Sequence, residues 1–85
     1  MGLNSEQKGR RAQEILDDPV FVEMIERTRE GYVMQWTLSE PRAVEEREAL
    51  SAANRGLDEM LRGLRTLISD WTMEKSREKT KKGRN

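Results

Sequence analysis

Leu50, Asn54, Leu57, Leu61, Leu64, Ile68 and Trp71 are spaced alternately four and three residues apart. That is the rhythm of one side of an α-helix, so a single seam, apolar but for Asn54, runs along a helix for three heptads. Such a seam has to be covered by another helix, from the same chain or a second copy, because apolar area left in water forfeits about 25 cal/mol per Å². Packing is therefore the most readable property of this chain, and it bounds what the rest can be.

The chain has 85 residues, of which 38% are charged and 34% hydrophobic. One domain is the most it can form, and a domain this small buries only roughly 60–65% of its unfolded surface, so oligomerisation would help it. The strong periodicity of its few apolar residues argues for a folded chain rather than a disordered one. No apolar run approaches the ~20 residues of a membrane span, and the polar segment 1–9 lacks the apolar core of a signal peptide. The sequence contains no cysteine, which excludes disulfides and thiolate metal sites. The location expected is the cytoplasm or a particle assembled there.

The formal net charge of zero conceals an asymmetry. Residues 1–73 carry ten Arg or Lys against fourteen Asp or Glu, whereas residues 74–85 carry six against two. An acidic body therefore ends in a basic segment, and the domain reading is 1–73 for the helical body and 74–85 for a frayed basic tail.

Three start signals divide the body. Asn4, with Gln7 three residues on, is an N-cap for a short helix over about residues 5–16, striped by Ala12, Ile15 and Leu16. Asp17-Asp18-Pro19 starts a second helix, with Asp18 as cap and Pro19 in the first position, where a missing N–H costs nothing. Its stripe is Phe21, Ile25, Thr28, Tyr32 and Gln35, widened by Met24 and Trp36, and it should end near Thr37 or Leu38. Ser39-Glu40-Pro41 repeats the cap logic, so a third helix is expected from about residue 40 to about 75. The second helix spans roughly 30 Å and the seam from Leu50 to Trp71 about 32 Å. Matching lengths and a short connection predict an all-α fold: an antiparallel αα-hairpin of two long helices, with the short first helix folded across it or docked on a partner.

The third helix offers more surface than one neighbour covers. Ala53, Met60 and Leu67 form a second row beside the seam, and Ala49, Gly56 and Gly63 a third row of very small residues. These residues either let another backbone approach closely or lie on a tolerant surface. Asn54 interrupts the seam with a polar group of the kind that fixes register, with Thr28 or Gln35 of the second helix, or Asn54 of a second copy, as its partner. Trp36 and Trp71 are core lids or, as rings often are at interfaces, partner contacts. The partner surface expected is thus Trp36, Ala53, Met60, Leu67 and Trp71.

Catalysis finds no support in the residues. There is no histidine to titrate near neutrality and no cysteine nucleophile. Most carboxylates lie within helical reach of arginine, as Glu23 with Arg27, Arg42 with Glu46, and Asp58 or Glu59 with Arg62, which is how solvated helix faces are supported. The pairs Asp17-Asp18 and Glu45-Glu46 lack the ligand spacing of a calcium loop. No enzyme, cofactor or metal is expected. Lys75, Arg77, Lys79, Lys81, Lys82 and Arg84 are the one candidate for nucleic acid, giving weak, salt-dependent and sequence-blind binding. No aromatic is interleaved to stack on bases, and no motif aims a reader at a groove.

The run RAQEILDDPVFVEMIERTREGYVMQW, followed by EREAL and ANRGLDEMLRGLRTLI, resembles small all-helical proteins encoded among the structural genes of tailed bacteriophages. The resemblance covers about residues 10–72 and is carried by Leu16, Asp18, Pro19 and Phe21 at the boundary, Trp36, and Arg47, Glu48, Leu50 and Leu57. These are cap and core positions, and the lysine-rich end lies outside the pattern. It implies a minor virion or assembly role, in the virion or the bacterial host cytoplasm, in which the chain oligomerises or docks on a larger phage structural protein. It carries over no catalytic residue.

Overall fold

The computed structural model describes the backbone of residues 2–83 and the side chains of residues 2–78. It consists of three helices, α1 (Ser5–Asp17), α2 (Pro19–Leu38) and α3 (Val44–Gly83), with no strand among the described residues. The chain is all-α.

The first two helix starts follow from the cap chemistry. Asn4 Oδ1 accepts the Gln7 N–H at 2.8 Å while Gln7 Oε1 accepts the Asn4 N–H at 3.1 Å, a closed capping box that occupies two of the N–H groups a helix start exposes. A single residue, Asp18, separates α1 from α2. Its N–H reaches back to the Ile15 carbonyl at 3.2 Å, and its Oδ1 accepts from the Val20 and Phe21 N–H groups at 2.8 and 3.0 Å. Pro19 follows at the first helical position with no N–H to satisfy.

The third start differs from the expectation. Ser39 is not the N-cap of α3 but the C-cap of α2, its N–H bonded to the Gln35 and Trp36 carbonyls at 3.0 and 3.2 Å. Its hydroxyl donates to the Trp36 carbonyl at 2.6 Å, so the side chain serves the helix behind it. A proline drives the residue before it away from helical backbone. Here Pro41 and Arg42 form a turn closed by the Ala43 N–H on the Glu40 carbonyl at 2.9 Å, and α3 begins only at Val44.

The far end of α3 also departs from the expected stop near residue 75, since the helix continues to Gly83. Residues 74–82 contain no proline or glycine and are mostly straight-chain residues that keep their rotamer freedom in a helix. The segment expected to fray is thus carried as helix up to the first glycine. Forty residues of α3 extend about 60 Å, which sets the longest dimension of the molecule, 66 × 25 × 24 Å.

α1 packs more extensively on α3 than α2 does. Gly9 and Ala12 are buried on α1, and Gly9 lies so close to Trp71 that a Cβ there would sit 2.7 Å from the Trp71 Cβ. At the other end of α3, Arg29 of α2 reaches Asn54 and Asp58, and Arg47 reaches back to Ser39. Contacts of α3 therefore run in reverse chain order, its start meeting the end of α2 and Trp71 meeting α1. Among the described residues, the apolar side chains that are buried are Ala12, Leu50 and Leu61. Leu57, Leu64, Ile68 and Trp71 of the seam are half-buried, as are Phe21, Ile25, Thr28 and Tyr32 of the α2 stripe, while Gln35 is exposed.

Candidate interaction surface

α2 is the place where the fold is least complete. None of its residues is buried, although Val20, Val22, Met24, Val33, Met34 and Leu38 all lie on it. Leu38 is 79% exposed, Val20 66% and Met34 64%. Four of its five charged residues, Glu23, Glu26, Arg27 and Glu30, occupy one sector of the helix, and apart from Arg29 apolar or small neutral residues fill most of the remaining circumference. α3 covers only part of that arc. At the connection end of the molecule, Val33, Met34, Thr37 and Leu38 line one shallow groove on α2. A second, between Trp36 and the first turns of α3, is lined by Val44, Ala49 and Ala52 among others.

Where α2 meets α3, polar contacts accompany the half-buried stripe of Phe21, Ile25 and Tyr32. Arg29 forks, donating from Nη1 to Asn54 Oδ1 at 3.1 Å and from Nη2 to Asp58 in an ion pair. Asn54 is thus held by an arginine, not by Thr28 or Gln35 as its seam position suggested. The Thr28 hydroxyl instead donates to the Met24 carbonyl of its own helix at 2.7 Å. Asp58, expected to pair with Arg62 along α3, pairs across to α2, whereas Glu23 and Arg27 do pair along α2 at 3.1 Å. Arg47 makes the second joint. Its Nε donates to the Ser39 hydroxyl at 2.9 Å, and its guanidinium lies 4.9 Å from the Trp36 ring centroid, a cation–π distance. Sequence reasoning passed over Arg29 and met Arg47 only as a residue of the resemblance, because nothing in their spacing distinguishes them from the surface arginines around them.

The two tryptophans have different settings. Trp71 is half-buried against Gly9, with Arg10 5.9 Å and Lys75 5.3 Å from its ring centroid. Trp36 is 40% exposed beside Arg47. Of the other residues expected to face a partner, Ala53 and Met60 are exposed and Leu67 is half-buried. Gly9 was not singled out from the sequence, but a signal was there: Ser5, Gly9, Ala12 and Leu16 follow the four-three rhythm with small residues, the pattern of a helix that approaches another closely.

Lys75 and Arg77 are exposed on the last described turns of α3. The side chains of Lys79, Lys81, Lys82 and Arg84 lie outside the described residues. Among the described residues no group of three acidic, histidine or cysteine side chains is placed to hold a metal ion, and no helix is long and apolar enough to cross a membrane. No protein-family model matches the chain, and neither does any curated protein or solved structure.

Proposed function

We propose that the chain is a non-catalytic structural or assembly protein that acts through helix-to-helix contacts, as an oligomer or docked on a larger protein. One observation carries this reading. Among the described residues the buried apolar ones are Ala12, Leu50 and Leu61, while large apolar side chains on α2 stay exposed, so the chain has more apolar surface to cover than it covers by itself. Its arrangement is an antiparallel helical hairpin of α2 and α3, supported by the reversed order of the Arg29 and Arg47 contacts, with α1 continuing along α3. The role proposed is that of a minor virion or head–tail assembly component, in the virion or the host cytoplasm, and what supports it is the resemblance of residues 10–72 to phage-encoded helical proteins.

Sedimentation of the purified chain in high salt after nuclease treatment tests the proposal. Concentration-dependent association, or a stable complex with a larger phage structural protein, is the expected result. A strictly monomeric species with no co-purifying partner overturns it. Association seen only at low salt and removed by nuclease points instead to residues 74–85 as a nucleic-acid-binding segment, a reading favoured by their six basic residues against two acidic ones.

A further inference from the structure

The fold sorts a net charge of zero into two poles. Residues 1–11 carry three basic residues against one acidic and residues 74–85 six against two, whereas residues 12–73 carry seven against thirteen. The two basic segments are the two extremes of the sequence, yet α1 brings them to one end of the molecule. Gly9 packs on Trp71. The Arg10 guanidinium lies 5.9 Å and the Lys75 amine 5.3 Å from the centroid of that ring, and Lys8 and Lys75 line one cleft between the start of α1 and α3. Lys8, Arg10, Arg11, Lys75 and Arg77 are all exposed. Arg10 is paired with Glu6 at 2.7 Å, while Lys8 and Arg11 have no ion-pair partner among the described residues.

Resting on the reading of residues 74–85 as a nucleic-acid-binding segment, we infer that this segment is one half of a composite site, in which the phosphate backbone of a nucleic-acid duplex is held jointly by residues 74–85 and by Lys8 and Arg11 of α1. The packing of Gly9 on Trp71 is the clamp that sets the two halves side by side.

The chemistry of this end selects the partner. A duplex carries one negative charge per ~1.7 Å of its axis, and gathered cations displace its counterions, a driving force that needs no apolar surface. Residues 74–85 contain no aliphatic or aromatic residue, and Leu3 is the one such residue in 2–11, so this end lacks the apolar side chains with which a surface helix enters a bilayer. The nearest ring, Trp71, is taken up by Gly9, Arg10 and Lys75, which leaves no platform for stacking unpaired bases. Glu6, Glu74 and Glu78 share the cleft with Lys8 and Lys75 and moderate the attraction, so the expected binding is weak, sequence-blind and steeply salt-dependent. Met34, Leu38 and Val44, exposed apolar residues, lie towards the opposite end of α3, so helix-to-helix assembly and this contact do not compete for one surface.

Fluorescence anisotropy of a short labelled DNA duplex, titrated with the full chain over a salt series, tests the inference. Lys8→Gln combined with Arg11→Gln should weaken binding about tenfold or more at ~0.1 M salt and lower the slope of log affinity against log salt by about 1–2, the loss expected for one or two phosphate contacts. Arg42→Gln combined with Arg62→Gln makes the same change of charge at two exposed arginines elsewhere and should leave the slope unaltered. Circular dichroism should show native helix content in both pairs. Equal losses from the two pairs would report overall charge and overturn the site. Weakening by Lys75→Gln with Arg77→Gln but none by the α1 pair overturns the composite site while leaving residues 74–85 as a binding segment, and no salt-dependent binding by the native chain overturns both. Phosphatidylserine vesicles bound as tightly as the duplex in the same salt overturn the choice of nucleic acid.

Discussion

The two ends of α3 are packed by different means. Towards its C-terminal half, α1 brings Gly9 and Ala12 down against the helix, with Trp71 filling the space that Gly9 leaves. Towards its N-terminal half, α2 buries none of its own residues; its Phe21, Ile25 and Tyr32 are half-buried, and Arg29 and Arg47 add hydrogen bonds, one ion pair and a cation–π contact. The first joint excludes water from apolar surface. The second covers apolar side chains only in part and adds polar groups that remain partly hydrated, which contribute little net free energy. Thirteen residues of α1 are therefore better anchored than the twenty of α2. The lesson is that apolar content does not by itself make an anchored helix. α2 has more large apolar side chains than α1, but small residues at the contact let α1 come close enough to use the few it has.

Substituting the tryptophans gives the largest expected separation between the two ends. Trp71→Ala should cost about 3 kcal/mol in denaturant unfolding, since it removes a half-buried ring and leaves Gly9 facing a void. Amide exchange in α1 should accelerate more than in α2. Trp36→Ala removes a more exposed ring and should cost about 1 kcal/mol or less. Equal losses for the two rings would break the comparison.

Alanine at two glycines sharpens it further, because the expected signs are opposite. Gly31→Ala adds a methyl where nothing lies within 4 Å, so it should stabilise by up to about 1 kcal/mol from helix propensity alone. Gly9→Ala has the same intrinsic advantage but drives its Cβ to 2.7 Å from the Trp71 Cβ, an atom fixed to the α3 backbone. α1 would have to move outward, and net destabilisation of about 1–2 kcal/mol is expected. Paired thermal melts at one protein concentration decide it. A stabilising Gly9→Ala would mean that α1 is held less tightly than its geometry indicates.

The boundary of α1 with α2 was legible in the sequence because the signals there are local. Asn4 with Gln7, and Asp18 with Pro19, act within one turn of chain and leave their marks in adjacent letters. Ser39 was misleading for the same local reason: a serine before a proline reads as a start, yet its hydroxyl serves the helix behind it once Pro41 delays the next one. The seam from Leu50 to Trp71 announced that α3 had to be covered, but periodicity does not say which helix covers which stretch. Length matching assigned it to α2, whereas closeness of approach, set by Gly9 and Ala12, made α1 the tighter neighbour. Arg29 was illegible because its partners, Asn54 and Asp58, lie 25 and 29 residues away, and like Arg10, Arg27, Arg55 and Arg62 it has an acid three or four residues away on its own helix.

The smallest effect is expected at that arginine. Arg29 and Asp58 are 35% and 49% exposed at their side chains, so solvent and ions screen their attraction, and pairs of this kind contribute about 0.2–1 kcal/mol. Asp58→Asn keeps the shape and the hydrogen-bonding oxygen while removing the charge. It should destabilise by about 0.5 kcal/mol at low ionic strength, and the difference from the native chain should fade at ~1 M salt, where the screening length is about 3 Å. Gly9→Ala, by contrast, should keep its full cost in the same salt series, because steric overlap has no ionic component. A salt-independent loss at Asp58 comparable to that at Gly9 would show the α2 joint to be as tightly built as the α1 joint, and the distinction between the two ends of α3 would fall.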